Sequence, residues 1–107
     1  MSFQRVAELD DLWSGEKIGL LVQGEPVLLV RIGDVVHAYA DRCLHKRYPL
    51  STGTLRGHTL RCNAHEWEYD VVTGECLNPR GQHLERFAVQ LRDGGIWVDT
   101  AGGQSHG

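Results

Sequence analysis

Val27-Leu28-Leu29-Val30-Arg31-Ile32-Gly33-Asp34-Val35-Val36-His37-Ala38-Tyr39-Ala40 holds two β-branched and aliphatic runs separated by Gly33-Asp34. Residues that tolerate positive φ between two such runs let an antiparallel pair reverse tightly, so the stretch reads as a β-hairpin. The same pattern recurs where Asp93-Gly94-Gly95 separates two further apolar runs. Working outward, strands are expected over residues 3–9, 18–23, 27–32, 35–40, 59–62, 68–72, 85–92 and 96–100. No segment sustains a helical period. Asp10-Asp11-Leu12-Trp13-Ser14 reads as a single helical turn joining the first two strands, and Gly102 to Gly107 as a frayed tail. The fold class that follows is all-β.

With 107 residues the chain supports one compact domain, so any activity has to come from one site on one scaffold. Its apolar runs, residues 18–22 and 27–30, fall far short of the roughly 20 residues a membrane-spanning helix needs, and the N-terminus lacks the apolar run of a signal peptide. A cytoplasmic protein without a membrane partner is expected. The formal net charge of -3, with no basic run interleaved with aromatics, argues against nucleic acid. Three cysteines make an odd count, which disfavours a disulfide framework and turns attention to metal or redox use.

Between Asp41 and Gly81 the strand alternation becomes irregular, and the chemistry-bearing residues fall inside that stretch. Cys43-Leu44-His45 is followed after sixteen residues by Cys62-Asn63-Ala64-His65, giving C-x-H-x16-C-x-x-H. Each loop offers one thiolate and one imidazole. The second is delivered by the strand ending at Arg61, and the first leaves a strand end, so the two pairs are expected to face each other across one gap. Cys2His2 is also a zinc set, and a zinc-held structural or interaction module is the alternative from a different class. Zinc sites of that composition mostly use C-x2–4-C and H-x3–5-H, whereas here each pair mixes the two residue types.

The spacing resembles the Rieske signature, and the resemblance runs over roughly residues 35–98. Gly53 and Leu55 between the boxes, Tyr69-Asp70 and Thr73-Gly74 after the second, and Pro79 further on belong to it. The resemblance implies an antiparallel β-sandwich with a small cluster-binding subdomain, here about residues 41–81 of a single domain spanning 1–107. It implies one [2Fe–2S] cluster, Cys43 and Cys62 on one iron and His45 and His65 on the other. Two neutral imidazoles in place of two anionic thiolates reduce the negative charge around the irons and raise the potential above that of an all-cysteine site. High-potential relatives carry extra cysteines at the positions of Tyr48 and Ala64, and a serine donor where this chain has Trp67. The expected potential is therefore near the lower end of the Rieske span, which begins at about −150 mV. The Tyr69 hydroxyl, four residues after His65, is in a position to reach a ligand sulfur.

Most Rieske boxes continue C-x-x-H-G, but this one reads His65-Glu66-Trp67. That form, with Gly74-Glu75-Cys76-Leu77-Asn78-Pro79, is similar to the ferredoxin components of toluene and related alkene or aromatic monooxygenases. The resemblance implies a monomeric electron carrier without turnover of its own, taking electrons from an NADH-dependent flavin oxidoreductase and passing them to a di-iron hydroxylase. A ferredoxin of a Rieske ring-hydroxylating dioxygenase is the close alternative.

The remaining candidates read more plainly. Cys76 is expected to be a packed or partly exposed thiol; His37 lies on a strand, His58 at a turn, His83 in a loop and His106 in the tail. Trp67 reads equally as core packing or as a shield and partner contact, and Leu77 with Pro79 as a covering loop or an ordinary turn. Glu66, Glu68, Asp70 and Glu75 read first as a solvated strand face and second as an acidic rim for basic partner patches, with Lys46 and Arg47 interrupting it.

Overall fold

The computed structural model describes residues 3–44, 49–63, 67–78 and 80–104. Its strands are β1 (Gln4–Glu8), β2 (Lys17–Val22), β3 (Glu25–Ile32), β4 (Val35–Ala40), β5 (Thr54–Arg56), β6 (Thr59–Arg61), β7 (Glu68–Asp70), β8 (Glu75–Asn78), β9 (Arg80–His83), β10 (Arg86–Arg92) and β11 (Gly95–Gln104). Short 3-10 turns cover Leu9–Asp11 and Leu50–Thr52. Every strand pair is antiparallel. A base sheet runs β1-β11-β10-β4-β3-β2 and a second, smaller sheet runs β5-β6-β7-β8-β9.

Both expected hairpins form. Gly33 adopts φ 62, and Asp93 and Gly94 adopt φ 52 and 74, the left-handed pair that matches the twist of the flanking strands. β3 and β4 explain how the two sheets become one body. Val27 and Leu29 of β3, with Val36, Ala38 and Ala40 of β4, face a base core completed by Leu12, Val22, Phe87, Ile96 and Val98. The alternate residues Leu28, Val30 and Tyr39 face a second core with Cys43, Leu50, Leu60, Cys62, Tyr69, Val71, Cys76 and Leu84. A strand buried on both faces has no polar row, which accounts for the uninterrupted apolar run at 27–30.

Three features differ from the sequence reading. β5, β8 and β9 were not expected, because their three or four residues are too short to show a period, and β9 is exposed throughout. His83 closes β9 instead of lying in a loop. Residues 102–104 extend β11 rather than fraying, since β10 supplies a ladder partner as far as Arg86↔Gln104, past an irregularity before Ala88.

Candidate metal centre

Cys43 lies just beyond the end of β4, and Cys62 follows β6 directly. Both thiols are buried in the second core, 1% and 0% exposed, and neither is in a disulfide. His45 and His65, with Lys46, Arg47, Tyr48, Ala64, Glu66, Pro79 and His106, lie outside the described residues.

The loops bearing the cysteines are braced at their bases. The Asp41 N–H donates to the Pro26 carbonyl at 3.0 Å, and the Asp41 carboxylate accepts the Ser51 N–H and hydroxyl, both at 2.7 Å. These bonds pin the two ends of the first loop ten residues apart. The Cys62 N–H donates to the Trp67 carbonyl at 2.7 Å and closes the second loop. Gly53 packs directly on β6: a Cβ there would run into the carbonyl oxygen of Arg61, the residue before Cys62. The sequence reading singled out Gly53 but missed Asp41 and Ser51. An aspartate ahead of a loop is a common acceptor for nearby backbone N–H groups, yet nothing local points to a partner so far along the chain.

Tyr69 of β7 sits opposite Leu60 in register, inside the second core. Its hydroxyl oxygen lies 3.3 Å from Cys43 Sγ and accepts the Leu44 N–H at 3.1 Å. The Leu44 N–H fixes the hydroxyl beside the sulfur, and the phenolic proton is the donor once Cys43 is a thiolate. Burial, and then the contact with Cys43, push the Tyr69 pKa well up, so the phenol keeps the proton it donates. Cys76 is Tyr69's cross-strand neighbour and fully buried, settling it as a packed thiol. Trp67 packs partly buried against the same core, while Leu44, 39% exposed, is a surface residue next to Cys43.

A second polar cluster ties this region to the base. The Tyr39 hydroxyl donates to the Val71 carbonyl at 2.6 Å, and Arg86 donates to the Tyr39 hydroxyl at 3.0 Å and to the Val72 carbonyl at 2.8 Å. Neither Tyr39 nor Arg86 stood out in the sequence, because their roles depend on two sheets meeting. His37 stacks on Tyr39, with ring centroids 6.4 Å apart, and His58 sits in the β5–β6 turn with its carbonyl accepting the Val71 N–H. Of the acidic residues near the second box, Glu68 lies opposite Arg61 in register and the Asp70 carboxylate accepts the Val72 and Thr73 N–H groups.

Residues 2–88 match the family described as the Rieske [2Fe-2S] domain. The chain belongs to that family. Its cofactor is one Rieske-type [2Fe–2S] cluster, which displaces the zinc alternative. This Rieske protein is 35% identical over 96 residues to the ferredoxin component of an alkene monooxygenase system from Xanthobacter autotrophicus, covering 89% of this chain and 79% of the relative. It is 27% identical over 94 residues to the ferredoxin component of a Pseudomonas putida naphthalene 1,2-dioxygenase system, covering 87% and 90%. Among solved structures it superposes with a TM-score of 0.82 and 30% identity on a chain from a complex of reduced oxygenase and oxidized ferredoxin in carbazole 1,9a-dioxygenase, covering 90% and 91%. The two named components that it spans over most of their length are electron-transfer ferredoxins.

The residues present fit the cluster. Two thiols in a dry core, on separately braced loops, are the donor type that iron–sulfur centres take. A metal-bound thiolate carries no proton, so within the Cys43–Tyr69 contact the phenol would be the donor, and the Leu44 N–H holds the Tyr69 hydroxyl in place. No helix among the described residues is long and apolar enough to cross a membrane.

Proposed function

We propose that this chain is a Rieske ferredoxin that carries single electrons from an NADH-dependent flavin oxidoreductase to the di-iron hydroxylase of a multicomponent aromatic or alkene monooxygenase. It acts as a monomer folded as one domain over residues 1–107, with Cys43 and Cys62 bound to one iron and His45 and His65 to the other. The carrying observation is the pair of buried thiols at the ends of β4 and β6, one of them met by the Tyr69 hydroxyl. When bound, the cluster supplies a one-electron couple. Cys43 and Cys62 hold their sulfurs away from water, and Tyr69 donates to one of them, favouring added negative charge. The Asp41–Ser51 bridge and the Cys62–Trp67 bond fix the two loops, so little backbone has to move when charge changes.

The di-iron acceptor is supported by the 35% identity to the alkene monooxygenase ferredoxin and by the His65-Glu66-Trp67 form of the second box. The likeness to naphthalene and carbazole dioxygenase components favours the second reading, transfer to a Rieske dioxygenase. Stopped-flow oxidation of the reduced protein separates them: rapid transfer to a di-iron hydroxylase and slow transfer to a Rieske dioxygenase is the expected result, and the reverse selects the second reading. For the ligand set, His65→Cys should retain cluster, lower the potential and abolish productive transfer; an unchanged potential by voltammetry removes His65 from the set.

A further inference from the structure

The Leu50–Thr52 turn touches the bases of both arms that carry the cysteines. Toward the first, the Ser51 N–H and hydroxyl donate to the Asp41 carboxylate, two residues before Cys43. Toward the second, Gly53 donates its N–H to the Leu50 carbonyl at 2.9 Å and packs on the carbonyl of Arg61, one residue before Cys62. Leu50 itself is buried in the second core. A displacement of this turn would be felt at both arms.

The turn is held from outside by β2, the edge strand of the base sheet. The register of β2 on β3 pairs Lys17 with Val30 and Gly19 with Leu28, and Val30 and Leu28 are both second-core residues. Directly opposed residues share a face, so Lys17 and Gly19 lie on the side of β2 toward the cluster end. Lys17 Nζ donates to the Ser51 carbonyl at 2.5 Å. With that bond the N–H, the hydroxyl and the carbonyl of Ser51 are all engaged. Gly19 supplies the room for this contact. A Cβ there would stand 2.5 Å from Ser51 Oγ, 2.8 Å from Ser51 Cβ and 2.9 Å from Asp41 Oδ2. Ser51 Oγ and Asp41 Oδ2 are the two ends of one hydrogen bond, so a side chain at position 19 would press on that bond. The backbone at Gly19 is not left-handed, and close approach is therefore what its lack of a side chain serves.

We infer that Lys17 and Gly19 are positioning residues for the metal centre: acting through Ser51 and Asp41, they set where Cys43 stands relative to Cys62. The inference rests on the reading of both cysteines as ligands. Groups that orient ligands without binding the metal still tune its affinity and potential. Lys17 does so with a charge-assisted hydrogen bond to a carbonyl, Gly19 by letting β2 seat against the brace. The base sheet thus acts on the metal centre through one face of its edge strand.

The test uses the dithionite-reduced holoprotein and three readouts: EPR line positions, the potential by voltammetry, and the rate of cluster loss to a chelator. Lys17→Met keeps the stem and removes the donor; Gly19→Ala drives a methyl against the Ser51–Asp41 bond. Both should shift the EPR lines and the potential and speed cluster loss roughly tenfold, the scale for groups that orient metal ligands. Lys17→Arg restores a cationic donor and should return the wild-type spectrum. Leu21→Ala, on the same face of β2 and 75% exposed, should leave all three readouts unchanged. Asp41→Ala should reproduce the defects, and adding Lys17→Met to it should add little, because the lysine acts through that carboxylate. Wild-type spectra and chelator resistance in Lys17→Met, or full additivity with Asp41→Ala, overturn the inference. So does a potential shift that salt abolishes and that comes without an EPR change, since that is a charge acting at a distance. A reduced wild type without the EPR spectrum of a cluster would remove the ligand reading itself, a failure distinct from these.

Discussion

The base core and the cluster-end core share β3 and β4 but pack different chemistry against them. On the base side the hydrophobic cluster is aliphatic apart from Phe87. On the other side Leu28, Val30, Leu50, Leu60 and Val71 are joined by Tyr39, Tyr69 and all three cysteines. The base strands run to eight or ten residues, whereas β5, β6 and β7 have three each. Short strands bury little apolar surface, and small sheets of them are marginal alone. One region is therefore ordered by hydrophobic burial, and the other needs whatever holds Cys43 and Cys62 together.

Removing the cluster should produce the largest effect and tests that division directly. In the apoprotein, amide exchange across residues 54–83 should approach that of an open segment, while β1–β4, β10 and β11 keep their protection. Metal-site binding energy is folding energy wherever the site is not otherwise preformed. Equal protection of both regions in the apoprotein would break the comparison. Leu29→Ala probes the other side: truncating a fully buried base residue should cost about 2–5 kcal/mol in denaturant unfolding, with the holoprotein's potential unmoved. A shifted potential would mean that the base core reaches the metal centre.

The base was the legible part of the sequence for the same reason. Long strands with alternating or continuous apolar runs announce themselves, and turns such as Asp93-Gly94 mark their ends. At the cluster end the Cys and His spacing was legible because metal ligation restricts residue type, and Tyr69 could be reached by counting from the second box. The brace from Asp41 to Ser51 and the junction of Arg86, Tyr39 and Val71 were not legible. They join residues ten to forty-seven positions apart through backbone atoms or single side chains, which leave no pattern in composition. The acidic stretch, read first as a solvated strand face and second as a rim, shows a related difficulty: Glu68 lies opposite Arg61, a neighbour that only the register supplies, while the Asp70 carboxylate accepts local backbone N–H groups.

Tyr69→Phe sharpens the comparison from within the cluster end. The phenol donates to a sulfur whose charge grows on reduction, so its loss should lower the potential. A differential hydrogen bond of about 1–2 kcal/mol corresponds to roughly 45–90 mV for one electron. Phe keeps the ring in the core, so voltammetry should record that fall while the base's exchange protection stays unchanged. An unaltered potential would show that the 3.3 Å contact with Cys43 carries no redox weight.

The smallest effect is expected at the seam, where His37 stacks on Tyr39 beside Arg86. Burial and then the Arg86 charge hold the His37 pKa below its ordinary 6.5, with Asp70 opposing and His58 reinforcing the shift. Between the lowered folded value and 6.5 the unfolded chain binds a proton that the folded chain refuses. Stability contributed by neutral His37 is thus complete above 6.5, declines as pH falls below it, and levels off once the folded imidazole also protonates. Urea midpoints measured downward from neutral pH should fall less for His37→Gln than for the wild type. Because Tyr39 carries the hydrogen bond from the base to Val71, the acid-induced loss should appear first in exchange at β4 and residues 71–74. Parallel pH profiles for the two proteins would place the seam's acid sensitivity elsewhere, and early loss in β1 and β11 would return it to the base.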